Sequence, residues 1–192
     1  WLGPEKDRPY HPHYTHTVFR GWYDFGGGSM ADMGIYSLWP VFTGLKLGAP
    51  VSAEAQATHT CTIVDGVSQT VKNDFAYPTA CALRFQFAPS QDRPGVELLW
   101  YDGGMRPRIP REVEAHNPPL GPEGILFVGD SGLILAGFHG EEPKLFLQGK
   151  MQNLWETAGA TADTWLGIKR KRAEFADCSI RLQTTFPRVH CT

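Results

Sequence analysis

The chain has 192 residues, 42% of them hydrophobic and 20% charged, and a formal net charge of −2. A chain of this size buries roughly 70% of its unfolded surface without disulfide or metal staples. Its near-neutral balance disfavours nucleic acid and anionic membrane as partners, and with no run of 18 apolar residues a membrane-spanning helix is not expected.

Residues 1–25, "WLGPEKDRPYHPHYTHTVFRGWYDF", hold three prolines, three histidines and seven aromatic residues. That is too proline-rich for a helix and too aromatic for a disordered tail, so an ordered arm is expected, packed on the body or lining a pocket. The stretch "GGGSMADMGIYSL" then reads as a glycine run entering a helix from about Ser29, with Ser29 as N-cap. Pro40 should kink that helix or begin a second one, and Gly48 should stop it.

From Val51 the hydrophobic period changes to two. "VSAEAQATHTCTIV" reads as a strand that turns at Asp65-Gly66, a hairpin signal. "ACALRFQFA", "VELLWYDGG", "GILFVGDSGLILAGF" and "PKLFLQG" supply further strands, the third of them two strands around a "GDSG" turn. No intervening helix is long enough for repeated parallel crossovers. The expected fold class is therefore α+β, an open, mostly antiparallel sheet with helices on one face. "TADTWLGIKRKRAEFADCSIRL" reads as a solvated helix, and the residues after it follow no clear pattern.

No cysteine falls in a C-x-x-C pair, so Cys61, Cys81, Cys178 and Cys191 read as mostly free, buried thiols of a reducing, cytoplasmic compartment. No secretory signal is visible, and a start at Trp1 leaves room for a preceding segment.

Four features carry candidate chemistry. Gly26–Gly28 could bind phosphate at a helix start, but Ala31 breaks the dinucleotide fingerprint and no P-loop lysine follows, so close packing is the alternative. Asp32 and Tyr36, one turn apart, share a helix face. They are either an acid/base pair or a buried tyrosine bonded to a structural aspartate. His11, His13 and His16 form a histidine-rich tract without a recognised ligand pattern, and no metal is expected. The "GDSG" serine lies in a hairpin turn rather than in a nucleophile context.

The ordered series "RGWYDFGGGSMADMGIYSLWPVFTGLKLGAPVSAEAQA", "VELLWYDGG" and "GILFVGDSGLILAG" resembles the C-terminal domain of the Gfo/Idh/MocA family of NAD(P)-dependent oxidoreductases over about residues 1–150. The resemblance implies that residues 1–25 are an arm of the substrate site and residues 26–192 the C-terminal α/β domain. The Rossmann domain, which would bind NAD or NADP, lies outside this chain. Tyr36 would be the acid/base at the substrate carbon and Asp32 its neighbour, while Gly27 and Gly28 would approach the cofactor. Tyr10, Tyr14, His16, Arg20, Trp22, Tyr23 and Trp39 are the expected contacts to a sugar-like substrate. Many relatives carry histidine at position 36 and aspartate or asparagine at 39, so Tyr36 and Trp39 are departures.

The expected function is the substrate-binding and oligomerisation domain of an oxidoreductase acting on a carbohydrate or cyclitol-like alcohol. This chain alone would be inactive and would form a homo-oligomer through the sheet. The alternatives are a stand-alone binding or assembly module, or an NAD-dependent glycosidase or lyase on the same scaffold.

Overall fold

The computed structural model describes residues 2–91 and 93–154, together with the backbone of 180–185. The arm is ordered as expected. It forms two short 3-10 turns, Pro12–Tyr14 and His16–Gly21, followed by one long helix, α1, Gly28–Leu45.

Helix α1 departs from the sequence reading at both ends. It starts one residue earlier, with Gly27 rather than Ser29 as N-cap, and ends at Lys46, which adopts a left-handed conformation (φ 49°) before Gly48 is reached. Pro40 neither kinks the helix into two nor starts a second one; it is buried inside a continuous helix. Proline has no N–H, so the Tyr36 carbonyl one turn earlier loses its usual helical donor. The inward face of α1 is small and apolar: Gly34, Ser37 and Val41 are buried at helical spacing.

Ten strands follow. They are β1 Ser52–Ala57, β2 Cys61–Val64, β3 Val67–Thr70, β4 Cys81–Phe87, β5 Val96–Tyr101, β6 Gly124–Val128, β7 Gly132–Ala136, β8 Lys144–Leu147, β9 Lys150–Asn153 and β10 Ile180–Thr185. A six-residue helix, α2 Arg111–His116, lies between β5 and β6. The main sheet is open, in the order β1-β4-β5-β10-β6-β7-β8-β9, and β2-β3 form a separate two-stranded ribbon. Every pairing is antiparallel except that of β10 with β5.

The α+β class with an open antiparallel sheet therefore holds. The Asp65-Gly66 turn forms with both residues at positive φ (50° and 77°), as a right-twisted two-residue hairpin requires. The strand read across Thr58–Thr60 is interrupted there, leaving β1 in the main sheet and β2 in the ribbon. The helix read over residues 161–182 lies largely outside the described residues. Its last three, Ile180–Leu182, are strand in the middle of the sheet. Of the cysteines, Cys61 and Cys81 are free, but Cys61 is exposed on the ribbon rather than buried; the other two lie outside the described residues.

Two cores form on opposite sides of the sheet. Val41 of α1 packs with Phe87, Val96, Leu98 and Ile125. Leu126, adjacent to Ile125 and so pointing the other way, packs with Val113 of α2, Leu133 and Phe146. The long helix thus covers one face, and short α2 sits against the other. A third cluster, Trp100 and Phe138 with Met30, Met33, Leu38, Cys81 and Leu83, supports the first half of α1.

Candidate functional site on helix α1

The outward face of α1 carries Asp32, Ile35, Tyr36 and Trp39. Ile35 is 66% exposed, Tyr36 49% and Trp39 68%. Asp32 is held by Arg20 of the arm, with Nη1 and Oδ2 3.0 Å apart. Among the described residues no hydrogen bond joins Asp32 to Tyr36, and Tyr36 is not buried, so the structural aspartate–tyrosine pair is not what forms. The phenol ring instead packs near two rings from the turn after β7: Phe138 at 6.2 Å and the edge of His139 at 5.7 Å between centroids.

The position of this patch is set from below. Trp100 is fully buried under α1, and its Cη2 lies 3.7 Å from where a Gly34 Cβ would be. The Trp100 indole N–H donates to Asp102 Oδ2 at 3.1 Å. Asp102, only 5% exposed, also accepts from the Cys81 backbone N–H at 2.7 Å and from the Cys81 thiol at 3.2 Å. Burial, then the bond to Asp102, then the carboxylate charge push the Cys81 thiol from its ordinary 9.0 up to about 12. Gly103, at φ 65°, closes this end of the sheet where a Cβ would come within 2.3 Å of the Thr79 carbonyl oxygen.

Most of the arm's rings pack on one another or on the body, and Tyr14 and Phe25 also border a cavity. Trp22 stacks on Phe75 at 5.8 Å, meets Tyr14 edge-on at 5.4 Å, and donates its indole N–H to the His13 carbonyl at 2.7 Å. Tyr14 also packs on Phe25, and Arg8 lies over both rings while pairing with Asp24 at 2.7 Å. Tyr23 meets Tyr77 edge-on at 4.6 Å. Tyr10 is exposed. His16 opens the second 3-10 turn, and its side chain lies outside the described atoms. Only Arg20 is brought to the helix site. A cavity of about 410 Å³ lies in the arm between Leu2, Pro4, Tyr14, Phe19, Asp24 and Phe25, and another of about 420 Å³ lies on the α2 side. Neither is lined by Tyr36 or Asp32.

The glycine run has a packing explanation. A Cβ on Gly26 would sit 2.6 Å from the Arg20 Cα, one on Gly28 (φ 73°) 2.9 Å from the Tyr77 ring, and one on Gly27 2.5 Å from the Ala31 Cβ. The space that glycine frees at these three positions borders the chain's own residues. Among the described residues no group of three or more histidines, cysteines or acids is arranged to hold a metal. In the histidine tract the His13 N–H donates to the His11 ring nitrogen, and the two rings pack edge-on. No described helix is long and apolar enough to cross a membrane.

A site of this kind, an exposed phenol on a helix entered through glycines, sits within a recognised domain. Residues 1–92 match the family model described as the oxidoreductase family, C-terminal alpha/beta domain, of the Gfo/Idh/MocA group. Over that stretch, which contains the arm, α1 and β1–β4, the recognition made from the sequence holds. No curated protein matches the chain.

His139 is the residue that sequence reading missed. It stands far from Tyr36 in the chain, and only the fold brings the two together. The signal available was local: a histidine after an apolar strand, between Gly137 and Gly140.

Proposed function

We propose that this chain is the substrate-binding and oligomerisation domain of an NAD(P)-dependent oxidoreductase acting on a carbohydrate or cyclitol-like alcohol. The observation that carries the reading is Tyr36, half exposed on the α1 face beside an Arg20-fixed Asp32, within the stretch that matches the oxidoreductase domain. In this reading a nicotinamide, held mainly by a nucleotide-binding domain outside this chain, would supply the hydride chemistry at the substrate carbon.

The chain's own residues handle the proton and the orientation. The Tyr36 phenol donates to, or accepts from, the reacting substrate oxygen. The Arg20–Asp32 pair fixes the carboxylate one turn away, so a neighbouring hydroxyl meets a charged acceptor in a constant place. Trp39, with its face open, suits the apolar face of a ring and has no acceptor for a hydroxyl. Gly27, whose added Cβ would meet only Ala31 of its own helix, is the candidate for approach to the cofactor. Tyr10, Tyr14, His16, Trp22 and Tyr23 complete the proposed contacts to the substrate, and the Tyr14–Trp22 packing orders the arm that carries Arg20. Self-association through the sheet and a cytoplasmic setting, the latter suggested by the free thiols Cys61 and Cys81, complete the proposal.

The test is turnover by the intact native protein, followed by NAD(P)H absorbance with polyols as substrate. Tyr36→Phe should lower kcat by roughly 100-fold while leaving the thermal transition in place. Turnover unchanged by that substitution removes Tyr36 from the chemistry. Glycoside cleavage without net NAD(P)H change would replace the reaction class with transient oxidation.

A further inference from the structure

We propose that His139 is the second polar contact of the Tyr36 site, gripping a ligand hydroxyl next to the oxygen that Tyr36 handles and so deciding which polyhydroxy ligand is accepted. The inference rests on the reading of Tyr36 given above. Its evidence is separate, because it comes from the turn after β7 rather than from α1.

Three observations carry it. First, Tyr36 and His139 share one platform. Phe138 is buried, its ring centroid lies 6.2 Å from that of Tyr36 and 4.8 Å from that of His139, and both outer rings are exposed above it. Their edge-on contact, 5.7 Å with planes at 74°, places two hydrogen-bonding side chains of different chemistry side by side at one solvent-facing spot. A ligand rich in hydroxyls can meet both at once.

Second, the turn that presents His139 is built to hold it still. The Gly137 N–H donates to the Glu141 carbonyl at 2.8 Å, and the Gly140 N–H donates to the Gly137 carbonyl at 2.9 Å. The His139 N–H donates to Glu141 Oε2 at 2.7 Å. At Gly137 a Cβ would lie 2.3 Å from the Glu141 carboxyl, so the glycine leaves room for that side chain where it folds back under the turn. Gly140 turns the chain at φ 82°. A side chain on a closed turn loses less freedom on binding than one on a loose loop, and that is the condition for selectivity.

Third, the chemistry of the exposed imidazole matches that of a hydroxyl. Neutral imidazole has one donor and one acceptor, which complements a hydroxyl in either sense. A site that bonds a hydroxyl discriminates strongly against an analogue lacking it, because its polar groups are then left unpaired.

The experiment uses the full chain with myo-inositol and, separately, D-glucose as probes, observed through the ring proton resonances of His139 and Tyr36. Both sets should move together with one saturating curve, while the Trp22 indole N–H stays in place. Movement of Tyr36 without His139, or of neither with either probe, overturns the proposal. In the native enzyme, His139→Phe, which keeps the ring on Phe138 but removes donor and acceptor, should raise KM roughly tenfold with kcat changed much less. His139→Gln, which restores both, should recover most of the loss. An unchanged KM in His139→Phe alongside a lost kcat in Tyr36→Phe refutes the His139 role and leaves the oxidoreductase reading intact. Co-titration of the two rings without any NAD(P)-dependent turnover does the reverse.

Discussion

The arm and helix α1 hold most of the aromatic residues that a sugar site would attract, and they treat them in opposite ways. The arm turns its rings on one another: Trp22 on Phe75 and Tyr14, Tyr14 on Phe25, Arg8 over both. Helix α1 turns Tyr36 and Trp39 outward on a backbone fixed from beneath by Trp100 and by the packing of its own Val41 on Leu98 and Ile125. An irregular segment with three prolines has few backbone hydrogen bonds of its own, so ring packing must order it. A helix already has its ladder and can leave rings exposed. With Ile35 beside them, these rings make the outer face of α1 apolar as well as exposed.

The comparison predicts a large asymmetry in stability. Trp22→Ala removes a half-buried ring and an indole donor, and should cost about 2–3 kcal/mol in urea unfolding. Trp39→Ala, at an exposed helix position, should change stability by no more than about 0.5 kcal/mol. Equal costs would mean that the arm is not ordered by its rings. A greater cost at Trp39 would mean that the outer face of α1 is already covered in the free protein.

The same contrast explains what could be read from the sequence. Strand β4 was legible because Cys81, Leu83, Phe85 and Phe87 alternate against Arg84 and Gln86, β5 to β8 because short apolar runs end in glycine turns, and α1 because a glycine run leads into the stretch that carries Asp32 and Tyr36 one turn apart. Asp32 and Tyr36 were legible as a pair because one helical turn fixes their common face whatever else the chain does. The rest depended on long-range partners. "IRLQTT" is a central strand only because β5 and β6 leave a gap that its backbone fills, and nothing local announces a gap. Lys150–Asn153 is short and polar, and pairs because β8 offers an edge. Arg20 found Asp32, and His139 found Tyr36, through packing that no spacing rule encodes. The aromatic wealth of the arm was visible, but composition does not say whether a ring faces a ligand or another ring.

A smaller effect sharpens the comparison through pH. Cys81 and Trp100 share the buried Asp102 carboxylate beneath α1, whereas the arm has no such link. A thiol raised from 9.0 to about 12 binds its proton more tightly in the folded chain than in the unfolded one. Its contribution is therefore complete below about pH 9 and is lost as pH rises toward about 12. The alkaline fall in melting temperature should be shallower in Cys81→Ala than in the parent, and ring resonances of Tyr36 should shift in that range before those of Trp22. Identical alkaline profiles for parent and variant would separate the Asp102 cluster from the stability of α1.

A further effect lies one residue from Tyr36, on the buried face of the same helix. Ser37 is fully buried, and its Oγ has no hydrogen-bond partner among the described residues. A hydroxyl taken from water without a new partner costs on the order of 1 kcal/mol or more, and serine is also a poorer helix former than alanine. What Ser37 offers instead is small size where α1 meets the sheet. Ser37→Ala keeps that size and should raise stability by about 1 kcal/mol in urea unfolding. Ser37→Val replaces the hydroxyl by one methyl and adds a second, and should lower stability by about 1–3 kcal/mol, because extra volume at a fully buried position forces its neighbours apart. If alanine destabilises instead, the hydroxyl has a partner worth more than its desolvation, and the inner face of α1 is held by polar contact as well as by shape. If both substitutions behave as expected, close approach alone sets how far α1 sits from Trp100, and with it how Tyr36 is presented outward.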